Sequence, residues 1–174
     1  MGIAKELALD KEQIEEIMLT EWNMRIATLG PGRRINLTTM WFGWASGKVY
    51  VYARGQKVVN LRRNPNCTVM VDRNEKFPEL QGIMMLGTAV VLEDEAAERA
   101  DPHLAEVRRQ MGKKYNGGHG HPPVADPPPF AATATGSTRR WVVFTPESNI
   151  TWDNFKLGAS RETRSRGVGV GEGR

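Results

Sequence analysis

Four cationic side chains lie within one short stretch, residues 52–65, which read YARGQKVVNLRRNP. A helix is predicted to begin just after Gly55, and the first-turn amides of a helix carry partial positive charge. Arg54 and Lys57 would be unfavourable there unless an anion accepted hydrogen bonds from both the amides and the side chains. Gly55 leaves room for a ligand near the backbone, and Asn60 follows Lys57 by three residues, near the same helix face. We interpret these residues as a phosphate-binding site; solvated surface and a nucleic-acid patch are the alternatives.

The other two arginines of the stretch, Arg62 and Arg63, fall in the last predicted turn of the helix. Cations complement the partial negative charge at a helix C-terminus. These two side chains are therefore expected to complete the helix or to be solvated, and not to bind the ligand.

A planar ring on such a ligand would have to lie on the neighbouring strand. The segment TTMWF offers hydroxyls, backbone groups and large apolar faces, which suit a flat heteroaromatic ring. Its residues are Thr38, Thr39, Met40, Trp41 and Phe42. Taken alone, Trp41 and Phe42 are better explained as barrel core. Their proximity to the cationic junction favours a ligand-binding role.

Other patterns that could carry chemistry are weak. His119 and His121 form His-Gly-His in a Gly- and Pro-rich segment, without carboxylate or thiolate partners at useful spacing. Cys67 lies in the apolar run NCTVMV, where a small buried side chain is the simplest explanation. We predict no metal site, and the sequence identifies no catalytic side chain.

The composition limits the classes of function. The chain has 174 residues, enough for one domain, and its single cysteine excludes an intrachain disulfide. The formal net charge is +4, and the last fourteen residues, with four arginines and two glutamates, contribute +2 of it. This mild balance disfavours a nucleic-acid partner. No apolar run approaches the roughly 18 residues that span a bilayer, and the first residues do not resemble a secretory signal, so a cytoplasmic protein without a membrane partner is expected.

The spacing of apolar residues predicts a mainly β domain with short helices. Asp10 and Gln13 form a capping-box pattern at the start of the first helix. Further helices are predicted at 56–63 and at 93–115, the latter broken at Pro102. Strands are predicted at 24–29, 35–45, 48–52, 67–72, 82–92 and 140–144, with 150–152 as a further candidate. The first three strands are joined by short turns and predict an antiparallel meander within a small β-barrel.

The domain organisation follows from the same pattern. Residues 1–158 are expected to form the folded domain, and 159–174 a disordered basic tail. Residues 117–138, rich in Gly, Pro and Ala, are too irregular for a core connection and are interpreted as a functional flap or a mobile excursion. The runs 35–45 and 82–92 look apolar on both faces, and because one small barrel cannot cover both faces, a homodimer is expected.

In their order and spacing, several segments resemble the split-β-barrel flavin-binding superfamily, which includes pyridoxamine-phosphate oxidase and the deazaflavin-dependent reductases. The resemblance covers about residues 10–115 and, more loosely, 140–157. The matching segments are 25–30, 38–42, 52–57, 60–65 and 82–94, the last with Gly87 in place.

The resemblance implies an FMN-binding split barrel that forms a homodimer with cofactor sites at the interface. It implies that Arg54, Lys57 and Asn60 hold the cofactor phosphate and that residues 38–42 contact the tricyclic ring. It also implies that Trp152 lies near the cofactor of the partner chain.

The segments RIAT and NLRRNP are most similar to the deazaflavin branch, and the C-terminal Arg-x-His signature of pyridoxamine-phosphate oxidases is absent. The resemblance thus implies an oxidoreductase that transfers a hydride from reduced coenzyme F420 to a conjugated small-molecule acceptor. The alternatives are an FMN-dependent oxidoreductase on the same barrel, a non-catalytic flavin- or deazaflavin-binding protein and, against the mild charge, a nucleic-acid-binding barrel. The excursion at 117–138 is hypothesised to cover the substrate side of the ring or the polyglutamate tail of the cofactor.

Overall fold

A computed structural model describes residues 5–116, 129–131, 133–134 and 136–157. The predicted tail and most of the 117–138 excursion lie outside the described residues. Each helix of the described part is too short or too polar to cross a bilayer.

Seven strands, four α-helices and three short 3-10 helices make up the described chain. The strands are β1 (Met24–Leu29), β2 (Ile35–Met40), β3 (Gly43–Ala45), β4 (Lys48–Ala53), β5 (Asn66–Arg73), β6 (Gln81–Leu92) and β7 (Arg140–Asp153). The α-helices are α1 (Lys11–Thr20), α2 (Gln56–Arg63), α3 (Glu95–Ala100) and α4 (Leu104–Asn116). The 3-10 helices are Lys5–Leu7, Pro31–Arg33 and Phe77–Glu79. The prediction of a mainly β fold is confirmed, as are the capping box between Asp10 and Gln13 and the break between α3 and α4.

All seven strands form one antiparallel sheet in the order β2-β1-β5-β6-β7-β4-β3. Both consecutive pairings of the predicted meander are present, β1 with β2 and β3 with β4, but its central strand is not continuous. The predicted strand 35–45 is therefore two strands, interrupted at Trp41 and Phe42. The predicted strands 140–144 and 150–152 are parts of the single strand β7, which pairs along its length with β6.

The sheet must curl because its two edge strands are consecutive in the chain. In a flat sheet, the six spacings of about 4.8 Å between β2 and β3 would separate them by roughly 29 Å. The link from Met40 to Gly43, through Trp41 and Phe42, spans about 11 Å at most. The edges are therefore brought together at this link, which we call the seam. A sheet curled in this way into a partial barrel is the split-barrel architecture.

The strand β4 is buried on both faces because the barrel interior covers one and α4 the other. Val49, Val51 and Ala53 belong to the interior core, whereas Tyr50 and Tyr52 pack into a second cluster with α4. The buried residues of α4 recur at helical spacing and are Leu104, Val107, Met111 and Tyr115. Gly43 of β3 lets α4 approach closely, because a Cβ at this position would reach within 2.5 Å of Val107.

The outer face of β2, β1, β5 and β6 carries large apolar side chains that the described residues leave exposed. Ile35 is 74% exposed and Leu37 64% exposed. Leu29 and Leu86 lie on the same face and line a groove of about 370 Å³ together with Ile35. The prediction that these strands need cover on a second face agrees with this exposure, while the homodimer itself stays a prediction.

Gly87 sits at a register shift between β6 and β7, where it faces Pro146. A Cβ built on Gly87 would overlap the carbonyl oxygen of Thr145, a backbone atom that cannot move aside cheaply. We expect Gly87→Ala to lower the free energy of unfolding by about 1–3 kcal/mol, as overpacking does. Ser148→Ala, on the exposed surface of β7, should change it by less than about 0.5 kcal/mol. Urea unfolding of both variants tests this, and equal effects would contradict the assignment of strain to Gly87.

Candidate functional site

A pocket of about 350 Å³ opens beside the seam. It is formed by the end of β2 with the seam, by β4 and α4, and by the segments that precede β7. Its lining residues are Asn23, Thr39, Met40, Trp41, Tyr52, Met111, Phe130 and Arg139. Three of the predicted ring-binding residues therefore lie in one pocket, and its volume falls in the range of small-ligand sites.

Trp41 presents an open aromatic face at this pocket. Its indole is 45% exposed and stacks on Tyr115, with ring centroids 4.5 Å apart and an interplanar angle of 5°. Trp22 and Phe130 meet the indole edge-on at 6.4 and 6.3 Å. The exposed part of Trp41 leaves indole surface that a planar ligand can contact.

Tyr115 holds the seam in place through its hydroxyl group. The oxygen accepts a hydrogen bond from the Phe42 amide at 2.9 Å. Two carbonyl oxygens, those of Trp22 at 2.9 Å and Phe42 at 3.0 Å, lie within reach of the hydroxyl proton. Burial raises the pKa of Tyr115 well above its usual value, so the hydroxyl keeps its proton.

Phe42 points away from the pocket into the core. It is fully buried, and Lys114 Nζ lies 4.2 Å from its ring centroid. Burial lowers the pKa of Lys114 to about 8, although the nearby Glu21 acts in the opposite direction. The expected contact between the Phe42 side chain and a ligand ring is therefore corrected: Phe42 is barrel core, the alternative considered for it from the sequence.

The cationic side chains of Arg54, Lys57 and Arg139 lie close together next to the pocket. Burial lowers the pKa of Lys57, and the neighbouring charges of Arg54 and Arg139 lower it further. Among the described residues, none of the three cations has a carboxylate within 4 Å. Arg139 joins this cationic cluster to the pocket, since it lines the pocket and its guanidinium lies 5.7 Å from the ring centroid of Tyr52.

The backbone before α2 takes a left-handed conformation that favours glycine. Gly55 adopts φ +73°, which disfavours any side chain, and the space where its Cβ would lie is open. The Gly55 carbonyl accepts the amides of Val58 and Val59. Lys57 Nζ folds back to donate to the Arg54 carbonyl at 3.0 Å, which keeps its charge near the helix start.

Asn60 lies on the inner side of α2 and not at the cationic cluster. It is 1% exposed. Its Nδ2 donates to Thr28 Oγ1 at 3.1 Å, and its Oδ1 accepts from Gln56 Nε2 at 2.8 Å. The expectation that Asn60 binds a phosphate is therefore corrected: its amide is occupied in fixing α2 against β1, and helical spacing from Lys57 could not reveal this burial.

Two further residues of the predicted site lie outside the pocket lining. Thr38 faces inward beside Ile26, and its buried Oγ1 has no hydrogen-bond partner in the described structure. Trp152 pairs with Gly82 near one end of β6, and Trp141, close to the pocket, pairs with Leu92 at the other end. Ten residues, or about 33 Å of strand, separate Gly82 from Leu92. One chain does not bring Trp152 to its own pocket, so a role in the partner chain's site stays a prediction.

The arginines at the end of α2 behave as expected. Both lie in its last turn, and Arg62 forms a bidentate pair with Glu93. Sequence reasoning missed Arg139, Tyr52, Asn23, Met111 and Phe130 as pocket residues. For Arg139 a signal existed in the basic pair before β7, but only the pairing of Ala53 with Arg140 brings it next to Arg54.

The described residues that line the pocket include no carboxylate, histidine or cysteine. In the described part of the chain, no three His, Cys, Asp or Glu residues are grouped so that they could hold a metal ion. Cys67 lies elsewhere and is buried, and burial raises the pKa of its thiol to about 12, so it remains protonated.

The fold and site thus define a curled antiparallel barrel with an aromatic pocket beside a cationic cluster. Residues 10–153 match the family model described as pyridoxamine 5'-phosphate oxidase. The chain belongs to this family, and the resemblance to the split-barrel flavin-binding superfamily is confirmed. Among curated proteins, no sequence matches.

Solved structures with the same fold are similar to this chain at low sequence identity. A conserved hypothetical protein from Mycobacterium tuberculosis is 21% identical, with a TM-score of 0.70 over 91% of this chain and 93% of the other. A putative 5-nitroimidazole antibiotic resistance protein from Bacteroides thetaiotaomicron is 17% identical, with a TM-score of 0.62 over 83% and 84%. A structure described as an F420 reductase is 18% identical, with a TM-score of 0.51 over 78% and 94%.

Proposed function

We propose that the protein binds coenzyme F420 and transfers a hydride from the reduced cofactor to a conjugated organic acceptor. One observation carries the proposal: Arg54, Lys57 and Arg139, which have no acidic partner within 4 Å among the described residues, adjoin a pocket lined by Trp41. Lys57 is partly buried, and the exposed side chains of Arg54 and Arg139 lie near it. A bound anion would accept charge-assisted hydrogen bonds from this group of like charges. A planar ring joined to a phosphate satisfies both halves of this site.

The residues of the chain fit the two ends of such a cofactor. The cationic cluster would bind the phosphate, with the open approach at Gly55 giving access to the first amides of α2. Thr39, Met40 and Trp41 would contact the ring. Asn60 would act only indirectly, because it positions α2 against β1.

When bound, the reduced deazaflavin supplies the hydride. The protein then has to bind the ring, leave one face open to the acceptor and keep water out of the aromatic pocket. The described pocket lining has no carboxylate, histidine or cysteine, which agrees with a site whose chemistry is supplied by the cofactor. No side chain of the pocket is assigned as a general acid or base.

The choice of F420 over FMN rests on the segments that resemble the deazaflavin branch, and a neighbour described as an F420 reductase is compatible with it. An FMN-dependent oxidoreductase of the same barrel is the second candidate, since the family model matched is that of pyridoxamine 5'-phosphate oxidase. A non-catalytic flavin- or deazaflavin-binding protein would have the same binding site and no turnover.

Titration of the purified protein with F420 and with FMN, followed by absorbance and fluorescence, tests the proposal. We expect saturable binding of F420, weaker binding of FMN and oxidation of reduced F420 when a cyclic enone or a quinone is added. A preparation that is already yellow with FMN and does not bind F420 would favour the second candidate. Tight F420 binding without turnover would favour the binding protein, and binding of neither cofactor would overturn the proposal.

Lys57 and Arg63 provide a matched pair of variants, because Lys57 is assigned to the ligand and Arg63 to the end of α2. Lys57→Ala should weaken cofactor binding about 10- to 150-fold, because a hydrogen bond to a charged group contributes about 1.5–3 kcal/mol. Arg63→Ala should change the dissociation constant by less than about twofold, since Arg63 is an exposed residue of the last turn of α2. Fluorescence titration at fixed ionic strength compares the two, and equal losses would show that the division is wrong.

We also propose that a second copy of the chain covers the exposed apolar face of β2, β1 and β6, as the resemblance implies. Ile35, Leu37 and Leu86 are exposed there to an extent that is costly in water. Trp152 would then serve the pocket of the partner chain. Sedimentation velocity should give a dimer, and Leu37→Glu should yield a monomer; a wild-type chain that sediments as a monomer would contradict the proposal.

A further inference from the structure

Residues 129–131 form one wall of the pocket and are held there by three hydrogen bonds. The Phe130 amide donates to the Arg108 carbonyl at 2.7 Å. In return, Arg108 Nε donates to the Phe130 carbonyl at 2.8 Å. The indole nitrogen of Trp141 donates to the Ala131 carbonyl at 3.2 Å. The wall is thus attached to α4 through Arg108 and to β7 through Trp141.

The Phe130 ring lies at the centre of an aromatic cluster. Its centroid is 6.2–6.3 Å from the rings of Trp41, Tyr52, Tyr115 and Trp141, and each of these contacts is edge-to-face. The interplanar angle with Trp41 is 66°, so the two rings form a corner rather than a stack. Aromatic pairs of this geometry contribute roughly 0.5–1.5 kcal/mol each beyond the area that they bury.

The angle between the rings of Trp41 and Phe130 limits which ligands can stack on the indole. A planar ligand that fills the pocket contacts both Trp41 and Phe130, because both residues line it. A flat ring can occupy this corner, whereas a substituent that projects from the ring edge would collide with Phe130. The pocket depth therefore depends on where Phe130 is held.

Arg108 is the residue of α4 that determines this position. It contacts the wall through both its backbone carbonyl and its side chain, so Phe130 is tied to one turn of a buried helix. Arg109, the next residue, is exposed and instead pairs with Glu106 on the same helix. The chain thus places two arginines side by side, of which one holds the pocket wall.

We propose that Phe130 is a specificity-determining residue that restricts the site to flat ring systems with small edge substituents, and that Arg108 is its positioning residue. This inference rests on the proposed function, in which a flavin-type ring stacks on Trp41. It adds a limit on the ligand class that does not depend on whether F420 or FMN is the natural cofactor.

The first test needs no ligand. Trp141 is fully buried and is attached to the wall, so loosening the wall should expose it to acrylamide. We expect Phe130→Ala and Arg108→Gln to increase acrylamide quenching of tryptophan fluorescence, while Arg109→Gln leaves it at the wild-type value. If quenching does not increase in either wall variant, or increases equally in Arg109→Gln, the positioning role of Arg108 is overturned.

The second test compares FMN with its bulkier 8-dimethylamino analogue, roseoflavin mononucleotide. We expect the wild-type protein to prefer FMN by about tenfold or more, as steric exclusion of small groups allows, and Phe130→Ala to reduce this preference to about threefold or less. Phe130→Leu keeps most of the bulk and should retain it, which separates lost volume from a folding defect.

The two tests separate a failure of the proposed function from a failure of the roles assigned to Phe130 and Arg108. If neither F420 nor FMN binds the wild-type chain, the proposed function fails, and the quenching comparison still decides whether Arg108 holds the wall. If both flavins bind and Phe130→Ala leaves their affinity ratio unchanged, the specificity role of Phe130 is overturned while the proposed function stands.

Discussion

The fold and the site both depend on one constraint, the two-residue link between the edge strands of the sheet. Because Trp41 and Phe42 span so little chain, they force β2 and β3 together and curl seven strands into a barrel. The two residues then point to opposite sides. Phe42 fills the core, and Trp41 stands at the surface on Tyr115. The hydroxyl of Tyr115 binds the seam backbone, so α4 fixes both the closure of the barrel and the aromatic face of the pocket.

The cationic cluster explains why this pocket, and not the larger groove on the outer face, is assigned to a ligand. The outer groove is lined mainly by aliphatic and small polar residues on exposed strands and suits a protein surface. Beside the seam, burial lowers the pKa of Lys57, and the neighbouring charges of Arg54 and Arg139 lower it further. We therefore assign an anionic group to this cluster, where it would offset the repulsion between the like charges. The adjacent aromatic wall adds selectivity for a flat ring.

The sequence predicts the local parts of this structure well. The capping box of α1 and the helix 56–63 follow from signals within a few residues, and both are present. Long-range placement was not predictable in the same way. The splitting of the run 35–45 depends on the separate partners of β2 and β3, and the position of Arg139 depends on pairing between β4 and β7, which are some 90 residues apart. Asn60 has the right spacing for a ligand contact but is buried by β1, which only the packing of α2 reveals.

The central claim is that one ligand uses both the cationic cluster and the open face of Trp41. A crystal structure of the protein soaked with F420, or with FMN if F420 does not bind, measures this most directly. The account predicts a tricyclic ring stacked on Trp41 at van der Waals distance, with the phosphate within hydrogen-bond distance of Lys57 and Arg54 or Arg139. A cofactor bound in the groove of Leu29 and Leu86, or one whose phosphate lies away from the three cations, would contradict it.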